Sequence, residues 1–201
     1  MPAYFSIKIA FNGELLTETF VRDFFEVLAK NGMNFLKGYW KSKGYTLEQQ
    51  MEINQKFVEG KENDNDGSYH QSLFSFDKFT EVRGYWSHNH DGITFNLIIP
   101  EDDFVDIYTG KEIVKYYDKM DMIKHFFVKV WSFPAVQLIQ TAWECSDLPP
   151  ALSQINKKMP PQAEPFAIIP EAIYREEWKI NYEQIDKRGL LLEIKDNWLP
   201  G

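Results

Sequence analysis

The chain has 201 residues, 44% of them hydrophobic and 16% aromatic, enough apolar material to bury a full core in one elaborated domain spanning residues 1–201. Thirty acidic residues against 22 basic ones give a net charge of −8, which argues against nucleic-acid and anionic-membrane partners and favours encounter with a basic one. A single cysteine, Cys145, excludes an internal disulfide, no apolar run approaches the roughly 18 residues that span a bilayer, and no basic-then-apolar segment precedes Tyr4, so the expectation is a cytoplasmic protein.

The chain opens with a strand. Phe5, Ile7, Ile9 and Phe11 alternate with Tyr4, Ser6, Lys8 and Ala10, a period of two that buries the first set, and Asn12-Gly13 closes it. Phe20, Val21, Phe24, Phe25 and Leu28 then share one side of a helix opened near Thr17 or Thr19 and released at Asn31-Gly32. Residues 34–66 read as a helical insertion. Its aromatic start, Phe35 to Trp40, is too short and glycine-interrupted to classify. Thr46 and Gln49 have the spacing of a capping box and predict a helix through Met51, Phe57 and Val58 to Gly60, and the polar run from Lys61 to Gly67 predicts a loop.

Phe74 to Trp86 and Ile93 to Ile99 read as two strands of a hairpin, with Asp91-Gly92 supplying the positive φ of a tight loop. Pro100 ends the pairing, and the acidic connection Glu101-Asp102-Asp103 follows. A central helix comes next: Thr109 and Glu112 match a second capping box, with Tyr108 and Ile113 as a hydrophobic staple, so the spacing places its start within a residue or two of Lys111. Ile113, Tyr116, Met120, Ile123, Phe127 and Val130 form its apolar stripe, Ser132-Phe133-Pro134 ends it, and residues 135–143 read as a strand. The tail from about residue 146 to 201 is punctuated by prolines. It carries a short helix near Leu152 to Lys157, an ambiguous stretch from Ala172 to Tyr182 and a late strand from Gly189 to Ile194, and Trp178 and Trp198 predict that it packs back on the core of residues 3–145. The order strand, helix, strand, strand, helix, strand predicts an α+β fold of the ferredoxin-like, split βαβ type, an antiparallel sheet with helices on one face.

Chemistry-bearing patterns are sparse. Glu62-x-Asp64-x-Asp66-Gly67 has the first half of a calcium loop, but the bidentate acid such a loop needs at its twelfth position is Leu73 here. His88-x-His90-Asp91 places two imidazoles and a carboxylate within reach of a transition metal and supports an alternative reading as a small metal-dependent hydrolase, although no spacing nominates a third ligand from Cys145, His70 or His125. His125, beside Phe126 and Phe127, reads as a partly buried structural histidine, and Cys145 as a small apolar filler. No nucleophile elbow, phosphate loop, zinc-protease helix or dinucleotide fingerprint occurs, so no catalytic residue and no cofactor is assigned. What remains is surface. Acids cluster at Asp64 and Asp66 and at Glu101, Asp102, Asp103 and Asp106, with Tyr85 and Trp86 on the hairpin between them, and aromatics rimmed by charge are the usual anchors of a protein-binding patch.

The strand-helix start, the run Gly38-Tyr39-Trp40-Lys41-Ser42-Lys43-Gly44-Tyr45-Thr46 leading into a capped helix, and the strand Arg83-Gly84-Tyr85-Trp86 resemble parts of the small cytoplasmic immunity proteins that accompany bacterial polymorphic toxins. The resemblance implies a non-enzymatic α+β protein that binds and blocks a cognate toxin, and it carries over no catalytic or interface residue. A homodimer formed through an exposed sheet face is a further possibility that residue pattern leaves open.

Overall fold

The computed structural model describes residues 3–61, 71–89, 92–107, 113–115, 117–144, 148–186 and 188–194, with side chains at 106, 107 and 113–115 left aside. In chain order the elements are β1 (Tyr4–Phe11), α1 (Phe20–Lys30), β2 (Asn34–Gly38), α2 (Leu47–Val58), β3 (Ser72–Ser75), β4 (Val82–Asn89), β5 (Gly92–Pro100), β6 (Val105–Ile107), β7 (Ile113–Lys115), α3 (Tyr117–Val130), β8 (Val136–Trp143), α4 (Leu152–Asn156), β9 (Phe166–Pro170), β10 (Asn181–Gln184) and β11 (Gly189–Glu193). Nine strands form one sheet in the order β10-β11-β9-β8-β1-β5-β4-β3-β2, every named neighbour antiparallel, and β6 pairs with β7 apart from it.

The fold is therefore α+β, with a sheet larger than the four strands of the ferredoxin-like expectation. The added width comes from segments that the sequence leaves unclassified. Phe35 belongs to β2, an edge strand interrupted by a bulge between Phe35 and Lys37, and the proline-rich tail supplies β9, β11 and β10. Pro165 and Pro170 stand just before and at the end of β9, where a missing N–H disturbs the ladder least.

Register explains the core. Phe5, Ile7 and Ile9 sit opposite Ile99, Leu97 and Phe95 of β5 on one side and Trp143, Thr141 and Ile139 of β8 on the other, so this face of the sheet is apolar apart from Thr141, whose hydroxyl donates to the Phe166 carbonyl at 2.6 Å. The apolar faces of α1, α2 and α3 close over it, and Phe11, Phe20, Phe24, Trp86 and Phe95 meet there at ring separations such as 4.8 Å for Trp86 with Phe95 and 5.1 Å for Phe11 with Phe24. Gly84 lies beneath them because a Cβ there would stand 2.5 Å from Phe95 Cζ. The opposite face carries a smaller core in which Ile155 of α4 packs with Ala10, Leu138, Ala167, Ile169 and Leu192, and Trp178 of the tail is half-buried against it. Helices thus lie on both faces of the sheet, with α4 alone among the four described helices on the second.

Two boundaries differ from expectation for physical reasons. The α3 helix starts at Tyr117 and not near Lys111, because Ile113 and Val114, β-branched residues that favour extended backbone, pair with Ile107 and Asp106 instead. The run from Phe74 to Trp86 is two strands, broken at Asp77, whose φ is 41°. The capping box of α2 is complete: Thr46 Oγ1 accepts from the Gln49 N–H at 3.3 Å, and Gln49 Oε1 accepts from the Thr46 N–H at 2.9 Å. The hairpin β4-β5 turns at Gly92, with φ 110°. No described helix is long and apolar enough to cross a membrane.

Candidate protein-interaction surface

The α4 segment covers only part of the second face of the sheet. Over β4, β5 and the start of β1 that face presents Arg83, Tyr85 and Ser87, then Asn96 and Ile98, then Ser6 and Lys8, because each strand alternates its side chains and Val82, Gly84 and Trp86 point the other way. All of these groups but Arg83 line an open hollow of about 380 Å³ whose rim includes Leu148, 92% exposed.

At the margin of the hollow, cation and aromatics are stacked. The Arg83 guanidinium lies 5.1 Å from the ring centre of Tyr4 and 4.9 Å from that of Tyr39, a sandwich that favours the charge over both π faces and fixes a side chain otherwise rich in rotamers. The Glu81 carboxylate stands 3.9 Å from its Nε. The Tyr39 ring is in turn 6.1 Å from that of Trp40, which is 67% exposed and holds a left-handed backbone with φ 54°. A bulky residue in that region is strained, and such strain gathers at recognition sites.

Deeper in the hollow the groups are hydrogen-bonded in a row. Asn96 Nδ2 donates to Ser87 Oγ at 2.9 Å, and Ser87 Oγ is 2.7 Å from Thr94 Oγ1. Burial pushes the Tyr85 hydroxyl above its usual pKa against the opposing pull of Arg83, so near neutral pH it is a protonated phenol that can donate. At the start of β1, Glu144 Oε2 accepts from the Tyr4 N–H at 2.9 Å. Aromatic faces, one oriented guanidinium and prealigned donors and acceptors equip this surface for recognition.

Of the residues that the sequence nominates for a partner, Tyr85 lies in this hollow and Trp86 does not. Trp86 is 1% exposed, in phase with Val82 and opposite Phe95, so it belongs to the core. Its position on the strand's inner register was the signal that separates it from Tyr85. Asp103 is likewise internal, at 2% exposure: its carboxylate accepts from the Thr80 N–H and hydroxyl at 3.0 and 2.8 Å and pairs with Lys119. Glu101 is buried too, and burial, followed by the charges of Asp102 and Glu144, raises its carboxyl pKa, while Asp102 itself is exposed. Asp106 contributes backbone to β6, its side chain lies outside the described residues, and so do Asp64 and Asp66. The residues sequence reading missed are Tyr39 and Trp40. They follow Gly38 without strand or helix periodicity, and only their aromatic density marks them.

His88 faces away from the hollow. Its Nε2 is 2.9 Å from the Phe57 carbonyl oxygen near the end of α2, a contact that requires this nitrogen to carry the proton and ties the imidazole to α2. His90 and Asp91 lie outside the described residues, and among those described no group of three or more His, Cys, Asp or Glu side chains could hold a metal ion. His125 is exposed on α3, contrary to its reading as partly buried, with Nδ1 2.6 Å from the Asp121 carbonyl oxygen. No family model and no curated protein matches the sequence.

Proposed function

We propose that this protein acts by binding another protein, and that it does so as an immunity protein neutralising a cognate toxin in the cytoplasm. The observation that carries the reading is Trp40, 67% exposed beside Tyr39, whose ring the largely buried Arg83 guanidinium steadies, since Trp and Tyr are among the residue types that dominate binding energy at protein interfaces. Two of the segments that resemble immunity proteins, Gly38 to Thr46 and Arg83 to Trp86, supply Tyr39, Trp40, Arg83 and Tyr85 to this surface. The net charge of −8 supports a basic partner, drawn in at long range and then held by aromatic contacts.

We further read the four central strands, β8-β1-β5-β4, together with α1 and α3, as a split βαβ kernel of ferredoxin-like type to which β2, β3 and the tail strands are additions. The strand order and the antiparallel pairings support this.

Growth rescue tests the functional reading. The product of the reading frame next to this one is expressed in a heterologous host, with and without this chain. Toxicity of that product, relieved by this chain and restored by Arg83→Ala, is the expected result. A harmless neighbour, or toxicity that this chain leaves unchanged, contradicts it.

A further inference from the structure

A further groove lies on the other side of the sheet. Two hollows meet between α1 and α2 and share Arg22 and Met51. One, of about 280 Å³, is lined by Phe25, Phe35, Leu47, Met51 and Phe74, and the other, of about 480 Å³, is flanked by Glu18, Glu48, Glu52 and Glu59. Together they make one groove, apolar at one end and acidic at the other. From this geometry we propose that the α1-α2 groove is a docking site for a segment of a partner protein that places a bulky apolar side chain beside basic ones.

The walls are tied before any partner arrives. Gln55 of α2 reaches across with both ends of its amide: Oε1 accepts from the Val21 N–H at 3.0 Å, and Nε2 donates to the Thr17 carbonyl at 2.9 Å. The Val21 N–H belongs to the first turn of α1, where helix donors lack intrahelical partners, so this bond satisfies α1 and sets its spacing from α2 at once. A groove fixed in this way loses little entropy on binding.

Charge selects the occupant. Lys56 and Lys61 are held by Glu52 and Glu59 at 2.8 and 2.7 Å, and Glu18 also attracts Lys61; with Arg22 counted, the lining carries five carboxylates, Glu26 included, against three cations, so its balance is acidic. The first-turn backbone of α2, and then the Thr46 side chain, lower the Glu48 pKa, so it is charged at neutral pH. An acidic segment is repelled and a basic one attracted. The apolar end is smaller than a typical cofactor cavity and suits one or two side chains, as grooves for amphipathic helices do. Leu47 at its lip is an exposed apolar residue that such a segment would cover.

This site goes beyond the Arg83 surface and does not depend on it. A library of random peptides of about twelve residues, displayed on phage, is panned against the full chain. Enriched peptides are expected to combine a bulky apolar residue with Lys or Arg, to bind Glu18→Lys/Glu48→Lys about tenfold more weakly and to bind Tyr85→Ala unchanged. Both acids are exposed, so the double variant keeps its fold, which thermal unfolding verifies. Met51→Glu, which puts a charge into the apolar end, is expected to abolish binding. The proposal is overturned by no enrichment over bare support, by enriched peptides without basic residues, or by binding that the double charge reversal leaves intact.

Discussion

Lys119 Nζ lies 2.9 Å from Asp103 Oδ1, and this pair joins α3 to the turn that follows β5 while the other Asp103 oxygen holds Thr80. Removing the carboxylate takes the ion-pair partner from a partly buried ammonium and the acceptor from two Thr80 donors at once. Asp103→Ala is therefore expected to cost about 3 kcal/mol in urea unfolding, the range for breaking a buried pair. Asp103→Ala with Lys119→Met should cost less than the sum of the two single changes, because each single change already removes the contact that the two side chains share. Additive losses would show that the pair is not coupled.

Glu101 sets a pH dependence of the opposite sign to an ordinary surface acid. Its folded pKa is raised, chiefly by burial and then by Asp102 and Glu144, so the folded state binds its proton more tightly than the unfolded chain does. Such a group costs stability as pH rises from the unfolded carboxyl value of about 4.3 through its folded pKa. Glu101→Gln should accordingly be more stable than the parent at pH 7, with the advantage shrinking to nothing below about pH 4. Thermal melts of both proteins across that range measure it, and a variant less stable than the parent at pH 7 would refute the sign.

Trp86 and Tyr85 are neighbours with opposite duties. Trp86→Ala empties the centre of the aromatic core and is expected to cost about 3–5 kcal/mol, or to prevent folding. Tyr85→Ala trims the open face and should leave unfolding changed by no more than about 1 kcal/mol. Gly84→Ala, between them in the strand, pushes a methyl against Phe95 and Phe74 and should cost about 1–3 kcal/mol. Denaturant midpoints of the three variants separate these expectations.

Much of this was legible in the sequence. The alternation in β1 and β5, the Thr46–Gln49 capping box and the hairpin at Gly92 are local patterns whose cause lies within a few residues, and the structure places those elements where the patterns put them. What was not legible depends on distant partners. Asp103 reads as a solvated acid because Lys119 is separated from it by the β6-β7 ribbon, and the Thr109–Glu112 spacing points to a helix start although Ile113 and Val114 find a strand to pair with. The Arg83 sandwich combines Tyr4, Tyr39 and a residue from β4, and sheet order alone brings them together. Strand periodicity assigns Tyr85 and Trp86 to opposite faces, yet reading both as surface anchors ignored that phase.

Trp40 carries its backbone strain for no packing return, since its ring is mostly in water. Trp40→Gly releases the left-handed conformation, and that gain should offset the lost contact with Tyr39, so stability is expected to change by no more than about 0.5 kcal/mol. A large loss in a thermal melt would mean that the indole is structural.

Calorimetric titration of this chain with the product of the adjacent reading frame tests the central claim most directly. The account predicts saturable one-to-one binding that Trp40→Gly and Arg83→Ala each weaken by about 2 kcal/mol or more, roughly thirtyfold, while both variants remain folded. Absence of binding, or binding that neither substitution affects, would contradict it.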